Sequence, residues 1–155
     1  ILKKWFKVFN GEVKKMEQNK VCIQFESRYQ NASFARVAVS AFISQLDPTI
    51  EEIADVKTAV SEAVTNSIIH GYENDKKGIL KIEEISSGIK AKIVIEDYGK
   101  GIEDIDKARE PLYTSRPDLE RSGMGFTVME SFMDTLIVES KKGKGTKIIM
   151  TKKFS

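Results

Sequence analysis

Residues 61–74, SEAVTNSIIHGYEN, decide how this chain is interpreted. Glu62, Asn66 and His70 are spaced four apart, and positions four apart on an α-helix lie on one face. At about 100° per residue, Glu62 and Asn66 fall roughly opposite Ile53, the centre of the apolar face. The helix therefore offers a polar stripe to a ligand or to solvent, and taken alone the pattern favours solvent. For His70, the only histidine, a helix-end or packing role is favoured over catalysis.

The helix that contains this stretch is predicted to begin near Pro48. Its apolar residues recur at helical spacing and predict one buried stripe, formed by Ile50, Ile53, Val56, Val60, Val64 and Ile68. Asp47 is expected to cap its start and Gly71 to suit its end. An earlier helix is predicted over residues 31–46, where a second apolar set recurs at the same spacing: Phe34, Val37, Ala38, Ala41, Phe42 and Leu46.

Strands are predicted before and after these helices. VCIQFES (21–27) alternates apolar and polar residues, so Cys22 is expected to point away from the core. Two hairpins are predicted from paired apolar runs, ILKIEEI (79–85) with IKAKIVIED (89–97), and LIVES (136–140) with TKIIMTK (146–152). A short helix is predicted over residues 126–133. Early helices and hairpin-paired strands predict an α+β fold, a two-layer α/β sandwich with helices on one face of a mainly antiparallel sheet.

Composition limits the domain count and the classes of partner. The 155 residues suffice for one domain with a hydrophobic core. Residues 1–15 carry a formal charge of +4 and the rest −2, so no nucleic-acid partner is expected. A lone cysteine and the lack of any long apolar run predict a cytoplasmic protein without a membrane span. Residues 1–15 are predicted to be a non-native or disordered leader before a single domain, 16–155; a membrane-surface segment is the alternative.

Three further motifs are rich in glycine. IEDYGKGI (95–102) places Asp97, Gly99 and Gly101 after a strand, where a carboxylate can accept a hydrogen bond from the amine of a purine. RSGMGFTVM (121–129) places glycines before a helix, whose N-terminus can bind phosphate. KGKGTKI (142–148) is favoured as a plain hairpin turn. Each motif alone is weak, because ordinary turns have the same composition.

In their order along the chain the motifs are more specific. A Glu-x-x-x-Asn helix, Asp-x-Gly-x-Gly after a strand, a long irregular segment, Gly-x-Gly before a helix and Gly-Thr in the last hairpin together resemble the nucleotide site of the superfamily of gyrase, Hsp90, histidine kinases and MutL. No Gly-x-x-x-x-Gly-Lys-[Ser/Thr] loop is present.

Four segments narrow the resemblance: SFARV (33–37), QLDPT (45–49), the opening stretch and PDLERSGMGFTVME (117–130). From about Met16 to the C-terminus the chain is similar to the family of bacterial sporulation anti-sigma F factors. This resemblance implies an ATP-dependent serine/threonine protein kinase that holds a sigma factor (sigma F type) inactive. It also implies phosphorylation of a serine of an anti-anti-sigma protein, with ATP/ADP and Mg²⁺ as cofactors, and a homodimer.

The resemblance also implies roles for individual residues. Asn66 would bind Mg²⁺, Glu62 would be the general base, Asp97 would recognise adenine near Thr146, and Arg121 would contact the γ-phosphate. Gly99, Gly101, Gly123 and Gly125 would surround the phosphates. Arg36 would lie on the surface used by both protein partners, and residues 102–122 would form a lid.

Alternatives of other classes remain open. A general-stress-type anti-sigma serine kinase would share the nucleotide motifs, and a nucleotide-gated protein could sequester a sigma factor without turnover. A complete histidine kinase needs a phosphoacceptor histidine on a separate helix, whereas His70 lies within the nucleotide helix. A clamp ATPase of the gyrase type needs a further domain that supplies a lysine, so the sequence disfavours it.

Overall fold

The computed structural model describes the backbone of residues 6–9, 12–111 and 125–155, and side chains from Met16 onward within these ranges. The strands are β1 (Phe6–Phe9), β2 (Glu12–Lys15), β3 (Gln18–Glu26), β4 (Ile79–Ser87), β5 (Lys90–Asp97), β6 (Thr135–Lys141) and β7 (Gly145–Lys153). The α-helices are α1 (Tyr29–Ile43), α2 (Ile50–Asn66), α3 (Ile105–Ala108) and α4 (Gly125–Phe132).

Within the described residues, β3 to β7 form one antiparallel sheet in the order β3-β4-β5-β7-β6, and both predicted hairpins are present. Alternate residues of the strands face the helices, because side chains of a strand point to opposite faces in turn. Those buried on the helix-facing side include Leu80, Ile82, Ala91, Ile93, Ile95, Ile148 and Met150. The predicted α+β two-layer fold is confirmed.

The buried face of α1 differs from the predicted one. The residues that it buries are Ala35, Val39, Phe42 and Ile43. Phe34 and Val37, which were predicted to belong to the apolar stripe, are 54% and 59% exposed. Phe42 is buried as predicted, but Ala35, Val39 and Ile43 were not in the predicted set. Apolar residues occur all round this helix, so spacing alone did not identify the buried face.

Helix α2 is capped by Thr49, and the prediction that Asp47 caps it is wrong. The Thr49 hydroxyl accepts a hydrogen bond from the Glu52 amide at 3.1 Å, and the Glu52 carboxylate accepts one from the Thr49 amide at 2.8 Å. This reciprocal pair is a capping box. The stripe from Val56 to Ile68 is buried as predicted, whereas Ile50 is 87% exposed at the first turn.

The N-terminal residues pair with each other. The backbones of β1 and β2 form a separate two-stranded antiparallel sheet. The interpretation of residues 1–15 as a leader, and of 16–155 as one domain, stays a prediction. Among the described helices, none has the length and apolarity needed to cross a membrane.

Candidate functional site

The C-terminal end of α2 changes its helical pitch where the opening motif lies. Residues Ser67–Gly71 form a π turn, in which the Tyr72 amide donates to the Ser67 carbonyl oxygen at 2.9 Å. Such wide turns are rare and are often found at functional sites. Asn66 and His70 line a cleft of about 840 Å³, together with Gly71. The polar stripe therefore faces a cleft at its C-terminal end.

Glu62 lies one helical turn before Asn66 and is half-buried. The cleft lining includes Asn66 and His70 but not Glu62. The structure thus brings two residues of the predicted stripe into the cleft and leaves the candidate base one turn away, beside it.

Asp97 ends β5 inside this cleft with 3% of its surface exposed. Burial raises the pKa of the Asp97 carboxyl, because the charged form loses hydration. Hydrogen bonds oppose that rise: the Gly99 amide donates to Oδ1 at 3.0 Å, and the Ser67 hydroxyl and the Thr146 amide also donate to the carboxylate. A buried carboxylate held by three donors is a preorganised acceptor.

Thr146 lies beside Asp97 because the two residues are partners in the β5–β7 register. The Thr146 and Ser140 hydroxyl oxygens are 2.8 Å apart, and the Ser140 hydroxyl also donates to the Gly145 carbonyl oxygen at 2.9 Å. The Ser140 hydroxyl oxygen also accepts a hydrogen bond from the Ile102 amide at 2.7 Å, and this bond attaches the segment after Gly101 to the sheet. The β6–β7 turn, predicted to be plain hairpin chemistry, thus supplies part of the cleft.

Close approach of protein backbones explains two of the glycines. A Cβ on Gly99 would lie 2.1 Å from the carbonyl oxygen of Gly71, which accepts the Lys100 amide at 2.9 Å. Gly145 has φ +99°, and a Cβ there would lie 2.0 Å from the Asp97 carbonyl oxygen. Gly101 also lines the cleft. Contact of Gly99 and Gly101 with phosphate stays a prediction.

Gly125 brings the start of α4 against the opening helix. A Cβ on Gly125 would lie 3.0 Å from the Asn66 side-chain nitrogen, and α4 packs on α2. The structure thus joins the first and third motifs, which are far apart in sequence. Arg121 and Gly123 lie outside the described residues, as does most of the predicted lid.

Charged residues surround the mouth of the cleft. Lys100 pairs with Glu73 at 2.8 Å and Lys142 with Glu103 at 3.3 Å, and all four side chains are largely exposed. Lys107 of α3 also lines the cleft, whereas its interior includes the apolar Ile102, Phe126 and Ile148. The lining also includes three acidic residues, Glu103, Asp104 and Glu110, so it carries both signs of charge. An apolar interior that contains the buried Asp97 carboxylate fits a flat heterocycle with a hydrogen-bond donor. Among the described side chains, no cluster of His, Cys, Asp or Glu could by itself hold a metal ion.

Arg36 lies outside the cleft, half-buried on α1. Its neighbours Phe34 and Val37 are exposed, and the Phe34 ring packs edge-on against Phe25 with 6.3 Å between ring centroids. Helix α1 thus carries both Arg36 and exposed apolar side chains that the sequence pattern had assigned to the core.

Ser67 and Ser140 were missed by the sequence analysis. Ser67 follows Asn66 directly, and its position beside that residue was the available signal. For Ser140 there was no such signal, because its role depends on strand register.

Solved structures with a similar fold include the RsbU and RsbW domains of a Mycobacterium tuberculosis protein, with a TM-score of 0.64 and 18% identity over 88% of this chain and 32% of that one. The nucleotide-free catalytic domain of the histidine kinase ThkA gives a TM-score of 0.56 and 14% identity over 90% and 97%. At these identities the likeness shows the fold.

Sequence comparison shows the family. Residues 25–152 match the family described as histidine kinase-like ATPase domain. An anti-sigma F factor of Clostridium botulinum (strain Alaska E43 / Type E3) is 70% identical over 141 residues, 90% of this chain and 98% of that protein. An anti-sigma F factor of Clostridium kluyveri is 65% identical over 140 residues, with the same shares covered. The chain therefore belongs to the family of anti-sigma F factors and carries a histidine kinase-like ATPase domain.

Proposed function

We propose that this protein is an ATP-dependent protein serine kinase that also binds and inhibits a sporulation sigma factor of the sigma F type. Its phosphorylation substrate would be a serine of an anti-anti-sigma protein. The observation that carries the nucleotide part is that four motifs line one cleft: Asn66 at the end of α2, Asp97 paired with Thr146, and Gly125 at the start of α4.

Asp97 suits the recognition of adenine. One of its oxygens accepts the Gly99 amide, and the carboxylate lies inside a cleft whose walls include apolar side chains. An ionised carboxylate has further acceptor sites, which the exocyclic amine of adenine can use. Thr146 beside it can contribute a hydroxyl, and the stacked apolar walls exclude water from the base.

Asn66 suits the phosphate end of the nucleotide. Its side-chain amide oxygen is a ligand type that Mg²⁺ accepts together with substrate phosphates, so the residue fits the metal that the family implies. Mg²⁺ bound there would neutralise charge on the phosphates during transfer. The start of α4 at Gly125 directs backbone amides and the positive end of the helix dipole towards the same region. Arg121, Gly123, Gly99 and Gly101 are proposed to complete the phosphate contacts.

Glu62 is proposed as the general base. It is half-buried one helical turn from Asn66, a distance over which it can receive the proton of an acceptor serine bound beside the cleft. The serine oxygen would attack the γ-phosphorus, its proton would pass to Glu62, and ADP would leave.

The partner surface is proposed around Arg36 on α1. Phe34 and Val37 of the same helix also expose large apolar side chains, and arginine with exposed aromatic residues is typical of protein interfaces. The relatives named anti-sigma F factor give the class of partner. The proposal includes a homodimer, as the resemblance implies, and a cytoplasmic location, as the lone cysteine predicts.

The first test is transfer of label from γ-labelled ATP with Mg²⁺ to the cognate anti-anti-sigma protein. Wild type should transfer the label and Asn66→Ala should not, because the metal ligand is lost. Asn19→Ala, an exposed asparagine on β3, is the matched control and should keep full transfer. Absence of nucleotide binding by the wild type would overturn the proposal.

A second variant separates turnover from sequestration. Glu62→Gln should lose most phosphotransfer while retaining nucleotide binding and inhibition of the sigma factor, since the amide cannot accept the proton. Glu51→Gln, exposed on the first turn of the same helix, is the control. Full transfer by Glu62→Gln would show that the base assignment is wrong. No transfer by the wild type, with nucleotide bound, would favour the sequestering protein without turnover.

A further inference from the structure

Tyr72 connects three segments that meet behind the candidate nucleotide site. It follows the π turn directly, and its hydroxyl donates a hydrogen bond to the Ile79 carbonyl oxygen at 2.5 Å, at the start of β4. The same hydroxyl accepts a hydrogen bond from the Tyr98 amide at 2.8 Å. A single side-chain oxygen thus links the end of the nucleotide helix to the turn after Asp97.

The Tyr98 amide belongs to the peptide group that follows Asp97. The other end of that peptide group, the Asp97 carbonyl oxygen, faces Gly145, where a Cβ would lie only 2.0 Å away. One side of the peptide is therefore held by Tyr72 and the other is packed against the β6–β7 turn. Rotation of this peptide would displace the next one along the chain, whose Gly99 amide donates to Asp97 Oδ1 at 3.0 Å and so holds the carboxylate.

The ring of Tyr72 is itself held in place. A Cβ on Gly78 would lie 2.5 Å from the ring, so the ring packs directly on backbone there. Burial raises the pKa of the Tyr72 hydroxyl, so the group stays protonated and can donate and accept at once. The hydroxyl position is thus determined by packing as well as by its two hydrogen bonds.

We propose that Tyr72 is a positioning residue for base recognition: its hydroxyl orients the peptide after Asp97, and thereby sets the preference of the cleft for a purine that carries an exocyclic amine. This inference rests on the proposed nucleotide-binding function. Tyr72 lies behind the cleft rather than among its lining residues, so it acts through Asp97 and not by touching the ligand.

The test compares ADP with inosine diphosphate, which has a carbonyl oxygen in place of the exocyclic amine. Dissociation constants of both are measured by calorimetry on the full chain. Tyr72→Phe removes only the hydroxyl and should weaken ADP binding by roughly 2- to 12-fold, the range for one hydrogen bond. Binding of inosine diphosphate should change little. The ratio of the dissociation constant for inosine diphosphate to that for ADP should therefore fall.

Tyr98→Phe is the matched control. It removes a hydroxyl from the neighbouring tyrosine, whose ring is 54% exposed, and keeps the backbone amide that Tyr72 accepts. Its ratio should equal that of the wild type. Gly78→Ala provides a second approach, because its methyl group displaces the Tyr72 ring without removing the hydroxyl; it should lower the same ratio.

The outcomes are distinct. If the affinities for both nucleotides fall by the same factor, the ratio is unchanged; this would show a merely structural role and overturn the inference. Unchanged affinities for both nucleotides would overturn it as well. If Tyr72→Phe does not fold, an unchanged ratio in Gly78→Ala overturns it. If the wild type binds neither nucleotide, the proposed function itself fails; if it binds ADP and Tyr72→Phe keeps the ratio, only the role of Tyr72 fails.

Discussion

Asp97 and Glu84 are both buried carboxyls on the helix-facing side of the sheet, 3% and 1% exposed. Asp97 ends β5 at the cleft, whereas Glu84 lies four residues along β4 from Leu80, the register partner of Asp97. Burial raises the pKa of both groups, and it raises that of Glu84 to about 8. By burial and pKa alone, the two residues would be equal candidates for a functional site.

Their hydrogen bonds separate them. The Asp97 carboxylate accepts hydrogen bonds from Gly99, Ser67 and Thr146. In contrast, one Glu84 oxygen, Oε1, has no hydrogen-bond partner among the described residues. The register partners of Glu84 are Val21 and Ile93, and neither offers a side-chain donor. The raised pKa therefore reports burial at both positions. Only the hydrogen-bond donors and the cleft distinguish Asp97, a candidate binding group, from Glu84, whose burial is destabilising.

The largest effect is expected at Glu84, on stability. The folded-state pKa of Glu84, about 8, exceeds the ordinary value of 4.5. The contribution of Glu84 to the free energy of unfolding is therefore fully present below pH 4.5 and is lost as pH rises towards 8. The loss is about 1.4 kcal/mol per pH unit in this window, since the folded state resists ionisation. Glu84→Leu should remove the slope and be more stable than wild type at pH 8, as measured by urea unfolding at several pH values.

Glu83→Leu is the matched control for this slope. Glu83 is the neighbouring residue on the opposite face of β4, and it pairs with Lys20 at 3.3 Å. Its variant should keep the wild-type pH dependence. A wild type whose stability is flat between pH 5 and 8 would contradict the account of Glu84.

The next effect separates the two glycines of the β6–β7 turn. Gly145 and Gly143 both have positive φ, +99° and +78°, but a Cβ on Gly143 would meet nothing within 4 Å. Gly143→Ala should cost about 1 kcal/mol from backbone conformation alone. Gly145→Ala should cost about 3 kcal/mol or more, because it also displaces the Asp97 carbonyl oxygen. Thermal unfolding of both variants would measure the difference, and equal costs would show that the contact with Asp97 is unimportant.

The substitution Asp97→Asn tests the binding half of the comparison. If Oδ1 keeps the Gly99 amide, the asparagine nitrogen faces the amine of adenine, so two donors meet. Loss of a charged hydrogen bond should weaken ADP binding by roughly 10- to 150-fold. Glu84→Leu should bind ADP like the wild type. Equal ADP affinity in wild type and Asp97→Asn would remove Asp97 from base recognition.

The smallest expected effect is the pH dependence of ADP binding. Because the pKa of Asp97 is raised, its proton is taken up at a higher pH than for an ordinary aspartate, and the protonated form accepts the adenine amine less well. Affinity for ADP should therefore fall as pH is lowered towards that pKa, by less than about tenfold per unit. Inosine diphosphate should show no such fall. An ADP affinity that rises on acidification would contradict the ionised acceptor.

Much of the fold was predictable because its signals are local. The alternation in residues 79–97 and 136–152 predicted both hairpins, and the stripe from Val56 to Ile68 predicted the buried face of α2. The buried face of α1 was not predictable from spacing, since Ala35 is buried while the larger Phe34 beside it is exposed. Packing against α2 and the sheet selected the face that carries Ala35, Val39, Phe42 and Ile43.

The candidate site divides in the same way. Asn66, Asp97, Gly125 and Thr146 could be named from motifs and their resemblance to a family, and the structure gathers them at one cleft. The roles of Ser140 and Tyr72 could not be recognised, and Ser67 was signalled only by its position beside Asn66. Their partners lie far away in sequence, and no local pattern encodes such contacts.

The sequence by itself determined the helices, the hairpins and the family, because side-chain periodicity follows from backbone geometry and motifs retain their order along the chain. Only the tertiary structure decided which polar groups meet. Strand register placed Thr146 beside Asp97, and the π turn after Asn66 directed Ser67 and Tyr72 towards the end of β5. Only the complete packing of strands, helices and turns determined that Asp97 faces a cleft with donors around it, while Glu84 is buried with no partner for Oε1 among the described residues.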